Sequence, residues 1–477
     1  MSRFDEIRSE RLRKIKELRE LNINPYPEKS NRTHKIIDIK SNFSNFLNSQ
    51  ESINISGRIM SLRKMGSLNF LNLKDESDNI QVVIQKDSLS EDKFNIFKKY
   101  FDIGDFVQIS GTAFKTKTDE PSIFLTDFLI LSKSLSPLPS EFYGLSDEEE
   151  KIRKRYLDLI MNSEVKKNFD MRFKIIKLTR DFLAENGFIE VETPIIQPQY
   201  GGALAKPFKT HLNALDMDAY LRIAPELYLK RLLVGGYEKI FEIGKCFRNE
   251  GIDREHNPEF TMLELYQAYA SKEDLMKLLE DLVKYLCDKL NINLNFKYPF
   301  PKITFNQFIF DKSQLDFDKD DISKFVDFLK SKNVEVEDNV SKGKLADEII
   351  KLYRNELKDP VFLINHPLEI SPLAKEYCED NTKASRFHLL INGMEISNGF
   401  SELNDPVEQR KRLEQQQKEL SQGDSEAHPL DESFIEAIEY GMPQAAGLGI
   451  GIARIISVFT QTSSIKDVLP FPFIKNN

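Results

Sequence analysis

The chain has 477 residues, 67 Lys and Arg against 76 Asp and Glu, a formal charge of −9, 40% hydrophobic residues and no Trp; it is long enough for more than one core and too apolar for a disordered chain. Its cysteines, Cys246, Cys287 and Cys378, are too widely spaced for a CxxC site and too few for a disulfide framework, which points to a reducing cytoplasm. Apolar runs fall far short of the roughly 18 residues that span a bilayer, and the charged start from Met1 to Arg19 predicts no signal peptide, so a cytoplasmic protein without a membrane partner is expected.

Phe4, Ile7, Leu12, Ile15, Leu18 and Leu21 recur at mostly three- and four-residue spacing among seven basic and five acidic side chains. This predicts an amphipathic helix ending before Pro25 and Pro27, packed on its own protein in preference to a polyanion. Residues 1–50 are read as this helix and a lead-in.

Residues 51–134 change to short alternating segments: Ile53 to Leu62, Asn69 to Leu73, Asn79 to Gln85, Asp105 to Ala113 and Ser122 to Leu131. Five such strands predict a small barrel. The period of two sets Leu71 and Leu73 against Phe70 and Asn72, and Ile80, Val82 and Ile84 against Gln81, Val83 and Gln85. Phe70 and Gln81 therefore fall on the polar face, where a ring has no core to fill but can stack a nucleic-acid base. The stretch 135–155 reads as a linker with a switch from acidic to basic residues. Residues 1–145 carry 22 basic and 20 acidic side chains, and the remainder 45 and 56, so the net acidity belongs to the C-terminal part.

The rest, 156–477, is read as one α+β domain. Helical periodicity runs from Phe169 to Asn186, and Phe188 to Pro194 reads as a strand stopped by proline. Glu238 to Cys246 and Pro258 to Tyr269 read as an antiparallel pair around a charged loop. Residues 301–365, rich in Lys and Asp, read as a helical insertion without chemistry, and Gln415 to Gln417 as a polar patch on a helix.

The loop Phe247-Arg248-Asn249-Glu250-Gly251-Ile252-Asp253-Arg254-Glu255-His256-Asn257-Pro258-Glu259-Phe260 carries a guanidinium fork, carboxylates, an imidazole and a ring that can stack a purine. Near the C-terminus, Gly447-Leu448-Gly449-Ile450-Gly451-Ile452-Ala453-Arg454 offers close backbone approach and a second arginine. A glycine run alone is more often packing, but two arginines that can bracket a nucleotide reinforce one another.

Phe188 to Pro194, Phe247 to Phe260 and Gly447 to Arg454 resemble motifs 1, 2 and 3 of the class II aminoacyl-tRNA synthetases. Ala224-Pro225-Glu226-Leu227-Tyr228-Leu229-Lys230-Arg231, Thr261-Met262-Leu263-Glu264-Leu265-Tyr266 and Asn398-Gly399-Phe400-Ser401-Glu402-Leu403-Asn404-Asp405 resemble the lysyl branch. The resemblance implies an α+β multidomain protein: an N-terminal OB-fold β-barrel, then a class II catalytic domain built on an antiparallel β-sheet flanked by helices. It implies ATP-dependent activation of L-lysine to lysyl-adenylate and transfer to tRNA(Lys), by a homodimer that uses Mg2+.

By the same resemblance Arg248 would hold the α-phosphate and the lysine carboxylate, Glu250 the adenine amine and Phe260 the adenine ring. His256 and Arg454 would hold the γ-phosphate, with Asn257 beside them. Glu226 would take the lysine α-amine; Glu264, Tyr266 and Glu402 the ε-ammonium; and Gly202, Asn398, Phe400 and Gly449 the walls. Two ammonium groups call for several acids, whereas the carboxylate or amide side chain of an aspartyl or asparaginyl substrate would not suit Glu264 and Glu402. Phe70 would stack the anticodon, with Arg63, Gln81 and Glu120 reading its central uracil, although the family's first arginine of a pair is Leu62 here.

Two positions depart from the family. Magnesium would be held by Glu395 and a glutamate seven residues earlier, where this chain has His388; magnesium prefers oxygen, while imidazole suits transition metals. Ala453 stands where the family has Asp before the motif 3 arginine, which alters what orients Arg454. His388 either donates to a phosphate as a partial cation or slows activation, and an active enzyme with fewer tightly held metal ions is expected. The alternatives are a catalytically impaired paralogue that binds tRNA or regulates, and a ligase that transfers lysine to protein; relatives of the latter kind lack the barrel.

Overall fold

The structure is a computed structural model that describes residues 3–139, 147–336, 340–422, 427 and 429–475. The middle of the predicted linker, 140–146, and residues 337–339 of the predicted insertion lie outside the described residues. The chain divides into two compact units, Met1–Ser146 and Asp147–Asn477.

In the first unit, β1 (Ile53–Met65), β2 (Leu68–Lys74), β3 (Asn79–Gln85), β4 (Phe106–Lys115) and β5 (Pro121–Ser132) close a barrel in the order β1-β2-β3-β5-β4. Closure is made by the parallel pairing of β3 with β5, and the other neighbours are antiparallel. Leu71, Leu73, Ile80, Val82 and Ile84 are all buried in its core, as alternation requires. A helix absent from the sequence reading, Glu91–Tyr100, contributes Phe94 and Phe97 to that core; its N-cap Ser90 accepts from the Lys93 N–H.

The N-terminal helix, Arg3–Glu20, packs on this barrel: Ile15 and Leu18 are buried, and Arg11 donates to the carbonyls of Ile103 and Ser134, each at 2.9 Å. One expectation changes. Gln81 is buried on the outer face, donating to Ser122 Oγ at 3.1 Å, because β5 lies directly alongside β3 there. The segment 53–131 itself holds 10 basic and 11 acidic residues, so the positive excess of the N-terminal part comes from the segment before the barrel.

The second unit is built on eight strands: β6 (Ile189–Glu190), β10 (Lys239–Phe247), β11 (Glu259–Ala268), β12 (Lys302–Thr304), β13 (Val361–Ile364), β16 (Arg386–Ile391), β17 (Met394–Ser401) and β18 (Ala445–Gly451). Small sheets use β7 (Ile196–Gln197), β8 (Phe208–Leu212) and β9 (Met217–Leu221), and β14 (Glu376–Tyr377) with β15 (Asp380–Ala384). The large sheet has the order β12-β13-β16-β17-β18-β11-β10-β6, antiparallel through its centre and parallel only where β6 joins β10 and β12 joins β13.

On one face, helices Ser163–Glu185, Lys272–Leu290 and Ile452–Thr460 bury Leu263, Leu265, Leu448 and Ile450. The opposite face of β11, β17 and β18 is left for the site, partly covered by helices Glu226–Val234 and Glu432–Glu439. The predicted insertion is helical (Phe305–Ser313, Ile322–Ser331, Lys342–Tyr353), but its ends are the edge strand β12 and its neighbour β13.

Candidate active site and nucleic-acid face

Two rows of residues cross the sheet. His388 of β16 stands opposite Asn398 of β17, Asn398 opposite Gly449 of β18, and Gly449 opposite Glu264 of β11. Two residues along, Arg386, Phe400, Gly447 and Tyr266 make a parallel row. Because side chains two apart share a face, both rows present themselves on the side away from the Leu263 and Leu448 core. The alternation in Gly447-Leu448-Gly449-Ile450-Gly451 gives that face a floor without side chains.

On that floor sits an acid pocket. Tyr266 OH donates to Glu264 Oε2 at 3.2 Å, and Glu226 opens the helix Glu226–Val234 above them. Lys230, one turn along that helix and fully buried, reaches Glu226 Oε1 at 2.6 Å and Glu402 Oε2 at 2.5 Å. Burial raises the pKa of Glu226 against the pull of Lys230, and raises that of Glu264 further because the Glu226 charge adds to burial. Burial works against the charge on Lys230, but the two carboxylates overcome it and its pKa is raised. Gly202, at φ +86°, lies against Glu226, where a Cβ would come within 2.8 Å of the Glu226 Cβ. A Cβ at Gly447 would run into Glu402 Oε1 and the Tyr266 ring.

The loop between β10 and β11 rims this pocket. Arg248 lies over the Phe260 ring, 5.1 Å from its centroid, and donates through Nε to the Ile223 carbonyl at 3.4 Å. Glu250 is exposed and accepts from the Lys206 N–H. His256 is held through Nδ1 by Asp253 at 2.8 Å, and its Nε2 is 3.2 Å from Arg454 Nη2. Arg454 also donates to the Glu395 carbonyl at 2.8 Å, which orients it without a carboxylate at position 453; Ala453 is buried in the apolar core. Asn257 is buried, its amide donating to the Glu259 carbonyl and accepting from the Phe473 N–H.

His388 is buried with its ring 4.2 Å from that of His366, and its Nδ1 is 3.4 Å from Glu395 Oε2. Burial, with the charges of Arg386, Arg354 and Arg454, holds its pKa well below the usual imidazole value. It is therefore held toward the neutral form, in which it keeps one N–H that can donate to a phosphate.

The sequence reading named Lys230 only within a motif and Gly447 only within the glycine run, with no role for either, and passed over Arg386, whose Nε donates to Asn398 Oδ1 at 3.0 Å. The spacing of Glu226 and Lys230, four apart on a helix, was the available signal for the first. The insertion, read as free of chemistry, delivers Arg354 to Glu255 of the motif 2 loop at 2.7 Å. Nothing in the sequence pointed to that pair.

In the first unit, Arg63 of β1 stands opposite Phe70 of β2, and Phe70 opposite Val83 of β3. The Arg63 guanidinium lies 5.9 Å from the ring centroid. Gln81 stands next to this row, opposite Asn72, and Glu120 is exposed at the turn entering β5. Three strands and a turn thus assemble an outer face that carries the half-buried Phe70 ring beside Arg63.

A small-residue floor in a central antiparallel sheet, an acid pocket and a strand-joining loop bearing arginine and histidine define a class II synthetase catalytic centre, and the barrel adds an oligonucleotide-binding module. Residues 147–475 match the family described as tRNA synthetases class II (D, K and N), and residues 53–131 match the OB-fold nucleic acid binding domain. The chain belongs to the class II tRNA synthetases of this D, K and N group. Among the members it resembles are proteins named Lysine--tRNA ligase from Thermosipho melanesiensis and Thermotoga maritima, each 44% identical over 98% of this chain and 96% of the relative. Another of that name, from Carboxydothermus hydrogenoformans, is 44% identical over 99% of this chain and 98% of its own length.

Proposed function

We propose that the chain activates L-lysine with ATP to lysyl-adenylate and transfers the lysyl group to tRNA(Lys). The observation that carries this reading is the buried pocket of Glu226, Glu264 and Glu402 closed by Tyr266, since three acids against one resident cation, Lys230, leave an excess of acid that a dicationic substrate matches. The completeness of this pocket speaks for an active enzyme over a tRNA-binding paralogue.

A lysine carboxylate oxygen attacks the α-phosphorus of ATP as the bond to the β-phosphate oxygen breaks and pyrophosphate leaves. Arg248 holds both reacting groups, supplying alignment and charge at the transition state. Phe260 stacks adenine and Glu250 accepts from its amine. His256 and Arg454 take the γ-phosphate end, with Glu395 behind Arg454 and Asn257 pinning the loop. Glu226 takes the α-amine; Glu264, Tyr266 and Glu402 surround the ε-ammonium; and Gly202, Asn398, Phe400 and Gly449 wall the pocket. In the second step a terminal ribose hydroxyl of tRNA attacks the lysyl carbonyl and AMP leaves. Phe70 stacks the anticodon, flanked by Arg63, Gln81 and Glu120.

The residues at the expected magnesium position do not fit a protein-held ion. Glu395 is a single carboxylate, His388 offers a neutral nitrogen, and among the described residues no three His, Cys, Asp or Glu side chains gather where they could hold a metal. Ile189, Ile195 and Ile196, exposed around motif 1, support a homodimer. No described helix is long and apolar enough to cross a membrane. Charging of purified tRNA with each of the twenty amino acids tests the reading; charging with any amino acid other than lysine, or with none, overturns it.

A further inference from the structure

We infer that Lys230 is a positioning residue for lysine recognition: a resident ammonium that aims Glu226 and Glu402 and pulls each toward its charged form, so that the substrate's two ammonium groups meet oriented carboxylates. The inference rests on the proposed reading of the pocket as the lysine site.

Lys230 Nζ reaches Glu226 on its own helix at 2.6 Å and Glu402 at 2.5 Å, where the chain has just left β17. These are the two acids assigned to opposite ends of the substrate, and Lys230 is ion-paired with both. Phe400 and Phe434 lie on its flanks, 5.4 and 6.0 Å from Nζ to the ring centroids, and keep water from competing. Glu402 Oε1, the oxygen facing Gly447 and Tyr266, is buried and has no hydrogen-bond partner among the described residues; it is left for a ligand.

The charged and titratable groups facing this cluster are Glu226 and Arg386, Glu264 with Tyr266, and Arg248 beyond Glu264. Arg386 and Arg248 donate elsewhere, to Asn398 and to the Ile223 carbonyl. Burial pushes Glu402 up to about 8 even against the pull of Lys230; without Lys230, three carboxylates would share one buried pocket with no bonded cation and would hold their protons to higher pH still. A protonated Glu402 or Glu226 cannot pair with an ammonium, so lysine binding would then need a higher pH.

The test is lysine-dependent ATP/pyrophosphate exchange from pH 6 to pH 9 for the wild type, Lys230→Met and Lys230→Arg, with folding checked by circular dichroism. Lys230→Met is expected to raise KM for lysine by about tenfold or more at neutral pH, to leave KM for ATP within about twofold, and to move the acid limb of kcat/KM for lysine up by on the order of one pH unit. Lys230→Arg, which keeps the charge, is expected to return the limb toward its wild-type position. An unchanged lysine KM and acid limb in a folded Lys230→Met overturns the inference. If Lys230→Met does not fold, Lys230→Gln replaces it; neutral variants that all fail to fold assign Lys230 to stability and likewise overturn it. A wild type without lysine-dependent exchange refutes the functional reading instead.

Discussion

Replacing Gly447 by Ala adds one methyl group, and the structure shows where it goes. The new Cβ points at Glu402 Oε1 and the edge of the Tyr266 ring. Neither can step aside: Glu402 is tied to Lys230 at 2.5 Å and Tyr266 to Glu264 at 3.2 Å, and both are buried. Overpacking of a fixed site costs about 1–3 kcal/mol. Taken from lysine binding, that is roughly a 5- to 150-fold rise in KM for lysine. ATP/pyrophosphate exchange over a lysine titration reads it, with KM for ATP as the internal control. Gly449→Ala is the comparison in the lysine-free protein, because its Cβ would meet only the flexible end of Met262 at 3.0 Å and ordinary contacts beyond. Its melting temperature should stay near that of the wild type, whereas Gly447→Ala should melt lower. A lysine KM within twofold of wild type for Gly447→Ala would refute the placement of the substrate side chain between Glu402 and Tyr266.

Phe70→Ala removes a stacking platform worth about 1–3 kcal/mol per base, so KM for tRNA in charging assays should rise several-fold to about a hundredfold; an unchanged KM would remove the ring from anticodon binding. His388→Glu sets a second carboxylate beside Glu395, and the magnesium concentration that half-saturates exchange should fall, while an equal requirement in both proteins would show that residue 388 does not govern metal binding. The pocket carboxylates have raised pKa values, Glu402 pushed up to about 8 by burial, so they take up protons as pH falls from the mildly alkaline range, above where exposed carboxylates do. The kcat/KM for lysine should accordingly decline on the acid side well before pH 5; a profile flat down to pH 5 would mean that the acids stay ionised when buried.

How much of this was legible in the sequence differs from residue to residue. The alternation around Leu71 and Leu73 gave the barrel face of β2 correctly, because which side of a strand a residue occupies depends only on its position in the strand. The same rule put Gln81 on the outer face but could not show it buried, since that depends on β5, which lies 41 residues away at Ser122. The helix Glu91–Tyr100 was passed over although Ser90 caps it and Phe94 and Phe97 lie three apart. Glu226, Glu264, Tyr266 and Glu402 were nameable from motifs, yet the ion pairs of Lys230 join one helix to a strand end 172 residues on.

By itself the sequence determined the local periods, the chemical inventory of the motif 2 loop and the small floor of β18, and through them the family. Only the tertiary structure decided the register that lines His388, Asn398, Gly449 and Glu264 across four strands, the neutrality of His388 among three arginines, and the capture of two acids by Lys230. The physical reason is that charge state and pairing are set by burial and by every group within a few ångströms, and these groups are brought together by strand pairing, not by nearness in the chain.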